Sequence, residues 1–189
     1  MEKKDNLGRI VVICGPPLSG KTTLARLVAI QTGGQLVDVD DQRFRLLPDS
    51  AGLFDQNPIG ERQLMVAAYE IAVAKCRFES AVMRRLVVVS GPFSARVFKR
   101  AMEGLIEDKI VPVQIFRLDA PEDEIRRRIQ ERIDSGAQAT IKTWEKYQWA
   151  LSIRKPWRPE IRDQVKRITT TADTTESLQA ILAEIETGT

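Results

Sequence analysis

Apolar residues occur along this chain in short unbroken runs that alternate with longer stretches of helical spacing. Unbroken runs are typical of strands covered on both faces of a sheet, and the runs predict strands at about residues 9–14, 35–39, 86–89, 113–118 and 165–169. Apolar residues spaced three and four apart predict helices at about residues 22–29, 61–84, 95–107, 121–133, 140–152 and 176–186. Because strands and helices alternate, we expect an α/β fold in which helices cover both faces of a parallel sheet.

The length and composition are those of an ordinary soluble globular protein. The chain has 189 residues, of which 43% are hydrophobic and 29% charged, so we expect one domain over residues 1–189. No apolar run approaches the ~20 residues that cross a bilayer, and the N-terminal residues are not typical of a signal peptide. We therefore expect a cytoplasmic protein without a membrane partner. The two cysteines, Cys14 and Cys76, lack metal-ligand spacing and are expected to be reduced thiols.

The net charge and the histidine content bear on the possible partners and on the type of catalytic base. The net charge of +3 is mild, and it neither establishes nor excludes a nucleic-acid partner. The chain contains no histidine, which excludes a histidine base and zinc sites built on histidine. A catalytic base that works near neutral pH is therefore expected to be a carboxylate.

A glycine-rich motif, Gly-Pro-Pro-Leu-Ser-Gly-Lys-Thr at residues 15–22, separates the first strand from the first helix. It matches the Gly-x4-Gly-Lys-[Ser/Thr] pattern of a phosphate-binding P-loop. The alternative is a tight turn before an ordinary helix, but strand, loop and helix in this order are what a triphosphate site requires. The predicted nucleotide-binding residues are Gly15, Pro16, Pro17, Leu18, Ser19, Gly20, Lys21, Thr22 and Thr23.

The residue types in this motif suit triphosphate binding. Gly15 and Gly20 allow the tight turn that points backbone N–H groups at phosphate oxygens. Lys21 is predicted to reach the β- and γ-phosphates as a catalytic cation, and the Thr22 hydroxyl to ligate Mg²⁺. Many such loops carry a further glycine where this chain has Leu18, so we expect Leu18 to keep a negative φ.

Carboxylates and arginines follow the second predicted strand, where the carboxyl end of a parallel sheet places ligand-binding residues. Asp40 is the candidate base for an attacking hydroxyl, and Arg43 is the candidate residue for orienting the acceptor. Asp41 is expected to cap the next helix.

Three further arginines are candidates for contact with the substrates. Arg96 follows the third strand and either contacts the acceptor or is solvated in the first turn of a helix. Arg128 and Arg132 lie four residues apart on one face of the helix after strand 4, where they could clamp the triphosphate and stabilise charge during transfer. The alternative is that they belong to the solvated face of a charged helix.

These residues together resemble the P-loop kinase group, and within it the polynucleotide kinase-like branch, which includes small-molecule enzymes such as chloramphenicol phosphotransferase. The run Asp40-Asp41-Gln42-Arg43 matches that branch's Asp-Asp-x-Arg after strand 2. The stretch 121–132 resembles its lid helix, with the two lid arginines at Arg128 and Arg132. The resemblance implies a three-layer α/β/α P-loop NTPase fold with a five-stranded parallel sheet in the order 2-3-1-4-5. It also implies a helical lid over about residues 121–155.

The same resemblance implies ATP and Mg²⁺ as cofactors, Asp40 as the general base and Arg43 as an acceptor-site residue. One position departs from the pattern, because many members carry an Asp at the end of strand 3 where this chain has Ser90. Either Asp38 or Asp40 then takes over the contact with Mg²⁺, or the ion is held weakly.

The expected function is transfer of the γ-phosphate of ATP to a hydroxyl of a small molecule. Two alternatives stay open on the sequence. One is a kinase of 5′-hydroxyl polynucleotide ends, which differs only in the acceptor. The other is an ATP-binding regulatory module with little or no transfer, for which Ser90 is the main support.

Overall fold

The computed structural model describes residues 8–48, 57–93, 96–136 and 141–187, without the side chains of residues 58 and 96–99. Five strands form one parallel sheet in the order β2-β3-β1-β4-β5. The predicted sheet and strand order are therefore confirmed. The strands are β1 (Arg9–Cys14), β2 (Gln35–Asp38), β3 (Leu86–Gly91), β4 (Val113–Asp119) and β5 (Val165–Thr169).

Burial along the strands follows from the order of the sheet. Central β1 pairs with β3 on one side and β4 on the other, so that Val11 lies opposite both Val88 and Gln114. All of β3 and nearly all of β1 are buried, which explains their unbroken apolar sequences. Edge strand β5 contains only partly buried and exposed residues.

Helices cover both faces of the sheet, as predicted. The helices are α1 (Lys21–Thr32), α2 (Val39–Leu46), α3 (Pro58–Arg77), α4 (Arg96–Glu107), α5 (Glu122–Asp134), α6 (Trp144–Ser152), α7 (Pro159–Arg162) and α8 (Thr175–Thr187). One apolar core joins the sheet to α1 and α8, and a second core on the opposite face joins it to α3, α4 and α7. The buried thiols of Cys14 and Cys76 lie in the second core.

The long helix expected over residues 61–84 differs at both ends. It begins at Pro58 because the Asn57 side chain accepts a hydrogen bond from Gly60 N at 2.9 Å and proline fits the first turn. It ends at Arg77 and continues as a π-helical turn over Phe78–Val82. Ser80 Oγ donates to Cys76 O at 2.6 Å within that junction.

A third apolar cluster attaches α5 and α6 to the glycine-rich loop. Its buried members are Leu18, Ile125, Ile129, Ile141, Tyr147 and Ala150. Helix α6 begins at Trp144, later than the expected residue 140, because the Thr143 side chain caps it by accepting from Lys146 N at 3.2 Å. This cluster places the segment predicted as a lid next to residues 15–22.

Candidate functional site

The glycine-rich loop connects β1 to the amino end of α1, whose N-cap Gly20 has a φ of 81°. A Cβ at Gly15 would lie 2.4 Å from Leu118 O and 2.6 Å from Ser19 Oγ. Only glycine therefore allows the loop to pack this closely on β4. The free N–H groups and partial positive charge at the start of α1 point to an anionic ligand.

Leu18 adopts a φ of 64°, so the expectation of a negative φ was wrong. A left-handed conformation costs a non-glycine residue about 1–2 kcal/mol. The Leu18 side chain is 6% exposed within the third apolar cluster, and burial of a leucine contributes about 1.5–3 kcal/mol. Packing against α5 and α6 thus offsets the strain that glycine would avoid.

Lys21 lies in the loop with Nζ donating to Pro16 O at 2.8 Å. Burial strips water from the ammonium and lowers the pKa of Lys21 to about 8, while the nearby Asp40 carboxylate opposes this shift. Arg154 lowers that pKa further through charge repulsion. A bound polyphosphate would supply the negative charge that this ammonium needs.

Asp38 is buried at the end of β2 and joins two elements of the site. Its Oδ1 accepts from Asp40 N at 2.8 Å and from Asp41 N at 3.3 Å, while Oδ2 accepts from Thr22 Oγ1 at 3.2 Å. Helix α2 is therefore capped by Asp38, and the expectation that Asp41 caps it was wrong. Burial, followed by the charge of Asp40, raises the pKa of Asp38.

The predicted metal residues, Thr22 and Asp38, are thus in contact and offer the oxygen donors that Mg²⁺ prefers. Within the described part of the chain, no group of three or more Cys, Asp or Glu side chains could hold a metal ion. Magnesium commonly binds through one or two protein oxygens together with substrate phosphates and water, so the pair fits such an ion. Ser90 lies opposite Asp38 in the pairing of β2 with β3 and is buried.

Asp40 is exposed in the first turn of α2 and faces several groups of the site. Its charge raises the pKa of both Lys21 and Arg132 against the lowering that burial causes. The structure therefore brings together Asp40, Lys21 and Arg132, three of the four predicted catalytic residues, at the mouth of the loop.

Arg43 is largely enclosed by its neighbours. Nη1 pairs with Glu61 Oε1 at 3.4 Å, and the guanidinium carbon lies 4.6 Å from the centre of the Phe44 ring. Nε is buried without a hydrogen-bond partner among the described residues. Burial raises the pKa of Glu61, and Arg43 opposes this. The sequence analysis missed Glu61, and its place in the first turn of the next long helix is a weak signal.

Arg128 holds three parts of the chain together. Nη1 donates to Leu18 O at 2.7 Å, Nη2 to Thr171 O at 2.8 Å and Nε to Glu124 Oε1 at 2.6 Å. These bonds attach α5 to the glycine-rich loop and to the loop before α8. Arg128 and Arg132 therefore differ in geometry although they share a helix face.

The remaining predicted residues are placed as follows. Thr23 is exposed on α1, and Pro16 is buried in the loop. Ser19 is buried; its carbonyl accepts from Thr170 Oγ1 at 3.0 Å, while its hydroxyl has no hydrogen-bond partner among the described residues. The side chain of Arg96 lies outside the described residues, so its predicted contact with the acceptor stays a prediction.

Arg154 is a residue of the site that the sequence analysis missed. It follows α6, and burial, followed by repulsion from Arg117, lowers the pKa of its guanidinium. Nη1 is buried and has no hydrogen-bond partner within the described part of the chain. No motif marks Arg154, because its proximity to Lys21 depends on how the segment after α6 returns to the sheet.

Comparison with known sequences gives a family and a relative of this chain. A family model described as an AAA domain matches residues 10–152. A protein of Mycobacterium tuberculosis described as uncharacterized is 29% identical over 137 residues, which cover 70% of this chain and 27% of that protein. The chain thus spans about a quarter of the length of the curated relatives it matches.

Solved structures share the fold at low sequence identity. A candidate kinase from Chloroflexus aurantiacus superposes with a TM-score of 0.73 at 18% identity, covering 96% of this chain and 98% of that chain. A gluconokinase from Sinorhizobium meliloti has a TM-score of 0.65 at 17% identity, covering 94% and 91%. An APS kinase from Mycobacterium tuberculosis, in complex with AMPPNP and APS, has a TM-score of 0.63 at 20% identity, covering 95% and 98%. None of the described helices is long and apolar enough to cross a membrane.

Proposed function

The chain belongs to the AAA domain family, and from that premise we propose that it transfers the γ-phosphate of ATP to a hydroxyl of a small molecule. The expected resemblance to the P-loop kinase group is confirmed by the family match and the shared fold. The observation that carries the proposal is an exposed carboxylate, Asp40, next to the contact between Asp38 and Thr22 at the phosphate loop, where its charge acts on Lys21 and Arg132. Structural neighbours named as gluconokinase and APS kinase support a small-molecule acceptor.

Lys21 and the backbone N–H groups at the start of α1 bind the triphosphate in this proposal. Lys21 leaves its contact with Pro16 O and pairs with the β- and γ-phosphates, which restores the charge that burial disfavours. Thr22 and Asp38 would hold Mg²⁺, directly or through water, and the bound ion would neutralise charge on the phosphates.

Asp40 accepts the proton of the acceptor hydroxyl while the oxygen of that hydroxyl forms a bond to the γ-phosphorus. The bond from the γ-phosphorus to the β–γ bridging oxygen breaks, and ADP leaves. Arg132 stabilises negative charge on the group in transfer, and Arg43 orients the acceptor beside Asp40. Because the chain has no histidine, a carboxylate at this position is the suitable base.

Label transfer from γ-labelled ATP tests the proposal. The acceptors are a pool of small alcohols and a pool of 5′-hydroxyl oligonucleotides, each incubated with Mg²⁺. We expect label in the small-molecule pool, and we expect Asp40→Asn to lower transfer by about 10²–10⁴-fold, the contribution of a positioned base. Asp41→Asn, an exposed neighbour on α2, is the matched control and should keep its activity. Full turnover in Asp40→Asn would exclude Asp40 as the base.

One structural position favours a second function. Ser90 is buried opposite Asp38, at the position where the resemblance to the polynucleotide kinase-like branch implies an Asp, and this supports an ATP-binding regulatory module. That function predicts ATP binding without label in either pool. Label in the oligonucleotide pool alone would instead indicate a polynucleotide kinase.

The organisation of the chain is part of the proposal. We infer that residues 1–189 act as one kinase domain and that residues 121–155 serve as its lid. The apolar cluster between Leu18, α5 and α6 supports this inference, because it places that segment against the phosphate loop. The activity and partners of a protein as long as the mycobacterial relatives are likewise proposals.

A further inference from the structure

A strongly basic cavity lies between the segment after α6 and strands β4 and β5. Its volume is about 410 Å³, within the range of about 300–1,000 Å³ typical of small-molecule sites. Its basic lining residues are Arg117, Arg154, Lys155, Arg162 and Arg167. Leu151, Pro156, Trp157 and Val165 complete the wall. The described lining thus combines five cations with apolar surface and includes no carboxylate.

Little negative charge near the cavity compensates these cations. Arg117 Nη2 pairs with Asp119 Oδ1 at 2.9 Å, and Arg162 Nε lies 3.8 Å from Asp163 Oδ1. Arg154, Lys155 and Arg167 form no ion pair with a carboxylate of the described chain. Clustered cations repel one another, and a bound anion would relieve this repulsion.

The buried guanidinium of Arg154 indicates where in the cavity an anion would bind. Arg154 Nη1 is buried without a hydrogen-bond partner in the described residues, and an unsatisfied buried donor is costly. Burial disfavours the charged guanidinium of Arg154, and repulsion from Arg117 adds to that penalty. An anionic ligand that accepts from Nη1 would relieve both penalties.

Arg154 also connects the cavity to the phosphate loop, because its charge acts on Lys21. The cavity and Cys14, the last residue of β1, lie on the sheet face opposite α1 and α8. Arg117, which lines the cavity, lies opposite Cys14 in the pairing of β4 with β1. A ligand bound beside Arg117 would therefore lie near the carboxyl end of β1, where the phosphate loop begins.

We propose that this cavity holds an anionic group of the acceptor, a phosphate or a carboxylate, so that the enzyme acts on an anionic small molecule. The inference rests on the proposed function and specifies its acceptor class. Arg154 bonds the anionic group, Lys155 and Arg167 neutralise it, and the apolar wall of Leu151 and Trp157 packs against the carbon skeleton. The volume of about 410 Å³ favours a small molecule over a nucleic-acid strand.

A binding measurement tests the cavity without relying on transfer. The full chain is saturated with Mg²⁺ and AMPPNP, which occupies the phosphate loop, and is then titrated with inorganic pyrophosphate by calorimetry. We expect binding that weakens by roughly tenfold or more in Arg154→Gln, the effect of losing a charge-assisted hydrogen bond. Arg26→Gln, on the exposed face of α1, is the matched control and should bind like the wild type. Absence of binding to the wild type, or equal binding to all variants, would overturn the proposal.

A second variant distinguishes weaker binding from loss of folding. Arg162→Gln with Arg167→Gln changes two exposed cations of the same cavity, and it should also weaken pyrophosphate binding while retaining the wild-type melting temperature. If this double variant keeps full affinity, the cavity is not the site.

Label transfer to matched acceptor pools separates this inference from the proposed function. We expect label in phosphorylated and carboxylated alcohols and little in neutral alcohols, with the cavity variants losing the difference. Label in neutral alcohols alone overturns the anionic acceptor and leaves the kinase proposal intact. No label in either pool, with pyrophosphate still bound, contradicts the kinase proposal and also excludes an acceptor role for the cavity. Salt-sensitive binding of an oligonucleotide that the variants abolish would replace the small molecule with nucleic acid.

Discussion

Gly15 shows how one missing side chain shapes the phosphate loop. A Cβ there would meet Leu118 O at 2.4 Å and Ser19 Oγ at 2.6 Å, so Gly15→Ala must displace backbone. We expect the free energy of unfolding to fall by about 1–3 kcal/mol, the usual cost of overpacking, and the affinity for ATP to fall as well. Urea unfolding and nucleotide titration measure the two effects.

Gly104→Ala is the matched control for this substitution. Gly104 lies within α4, and an added Cβ there meets no described atom within 4 Å. Alanine should therefore stabilise the protein by about 0.5–1 kcal/mol through its helix propensity. A Gly15→Ala variant as stable and as tight for ATP as the wild type would show that the loop does not need its close contact with β4.

Lys21 is expected to destabilise the nucleotide-free protein. Its pKa is lowered from 10.5 to about 8 in the folded chain, so folding penalises the protonated form. The penalty is fully present below about pH 8 and disappears as the pH rises toward 10.5, and it amounts to about 3 kcal/mol at most. Lys21→Met should therefore unfold at higher urea than the wild type near neutral pH, although it loses ATP binding.

The pH dependence distinguishes this explanation from a general packing effect. Because the unfolded chain holds the Lys21 proton up to a higher pH, wild-type stability should rise relative to Lys21→Met between about pH 8 and pH 10. Lys142→Met, at an exposed lysine, should show no such trend. A stability difference that stays constant over this range would contradict the shifted pKa.

At the scale of elements, Arg128 is expected to act as a structural tie. Its bonds to Leu18 O, Thr171 O and Glu124 hold α5 against two loops. We expect Arg128→Gln to speed amide hydrogen exchange in α5 by at least tenfold, which corresponds to about 1.4 kcal/mol of local stability. Arg132→Gln, on the same helix, should lower transfer without this change in exchange. Equal exchange in the two variants would assign both arginines the same role.

Element boundaries show where sequence reasoning reached its limit. The strands and most helices follow from apolar runs and spacing, which burial on the two sheet faces dictates. The cap of α2 was assigned to Asp41 because several carboxylates are adjacent, and only the start of the helix at Val39 makes Asp38 the cap. The positive φ of Leu18 depends on a cluster formed with α5 and α6, so no local pattern could predict it.

At the scale of the whole molecule, the motif-bearing part of the site was predictable and the basic cavity was not. The glycine-rich loop and Asp40 each follow a strand directly, and parallel strands bring their carboxyl ends together. The cations of the cavity come from β4, from β5, from α7 and from the segment between α6 and α7. Only tertiary packing brings them together, and no sequence pattern distinguishes any of them from an ordinary charged surface residue.

The central position of β1 in the sheet also determines when the protein can fold during its synthesis. This strand precedes both of its neighbours in the sheet, β3 and β4, along the chain. At translation rates of about 5–20 residues per second, its apolar residues wait roughly 5–20 s for Val113–Asp119 to emerge. The phosphate loop that ends β1 is therefore made well before the sheet around it is complete. Until β3 emerges, the nascent chain carries an apolar strand without a partner, and until β4 emerges one edge of that strand stays unpaired. Chaperones bind such segments, and the segments aggregate when chaperones are absent.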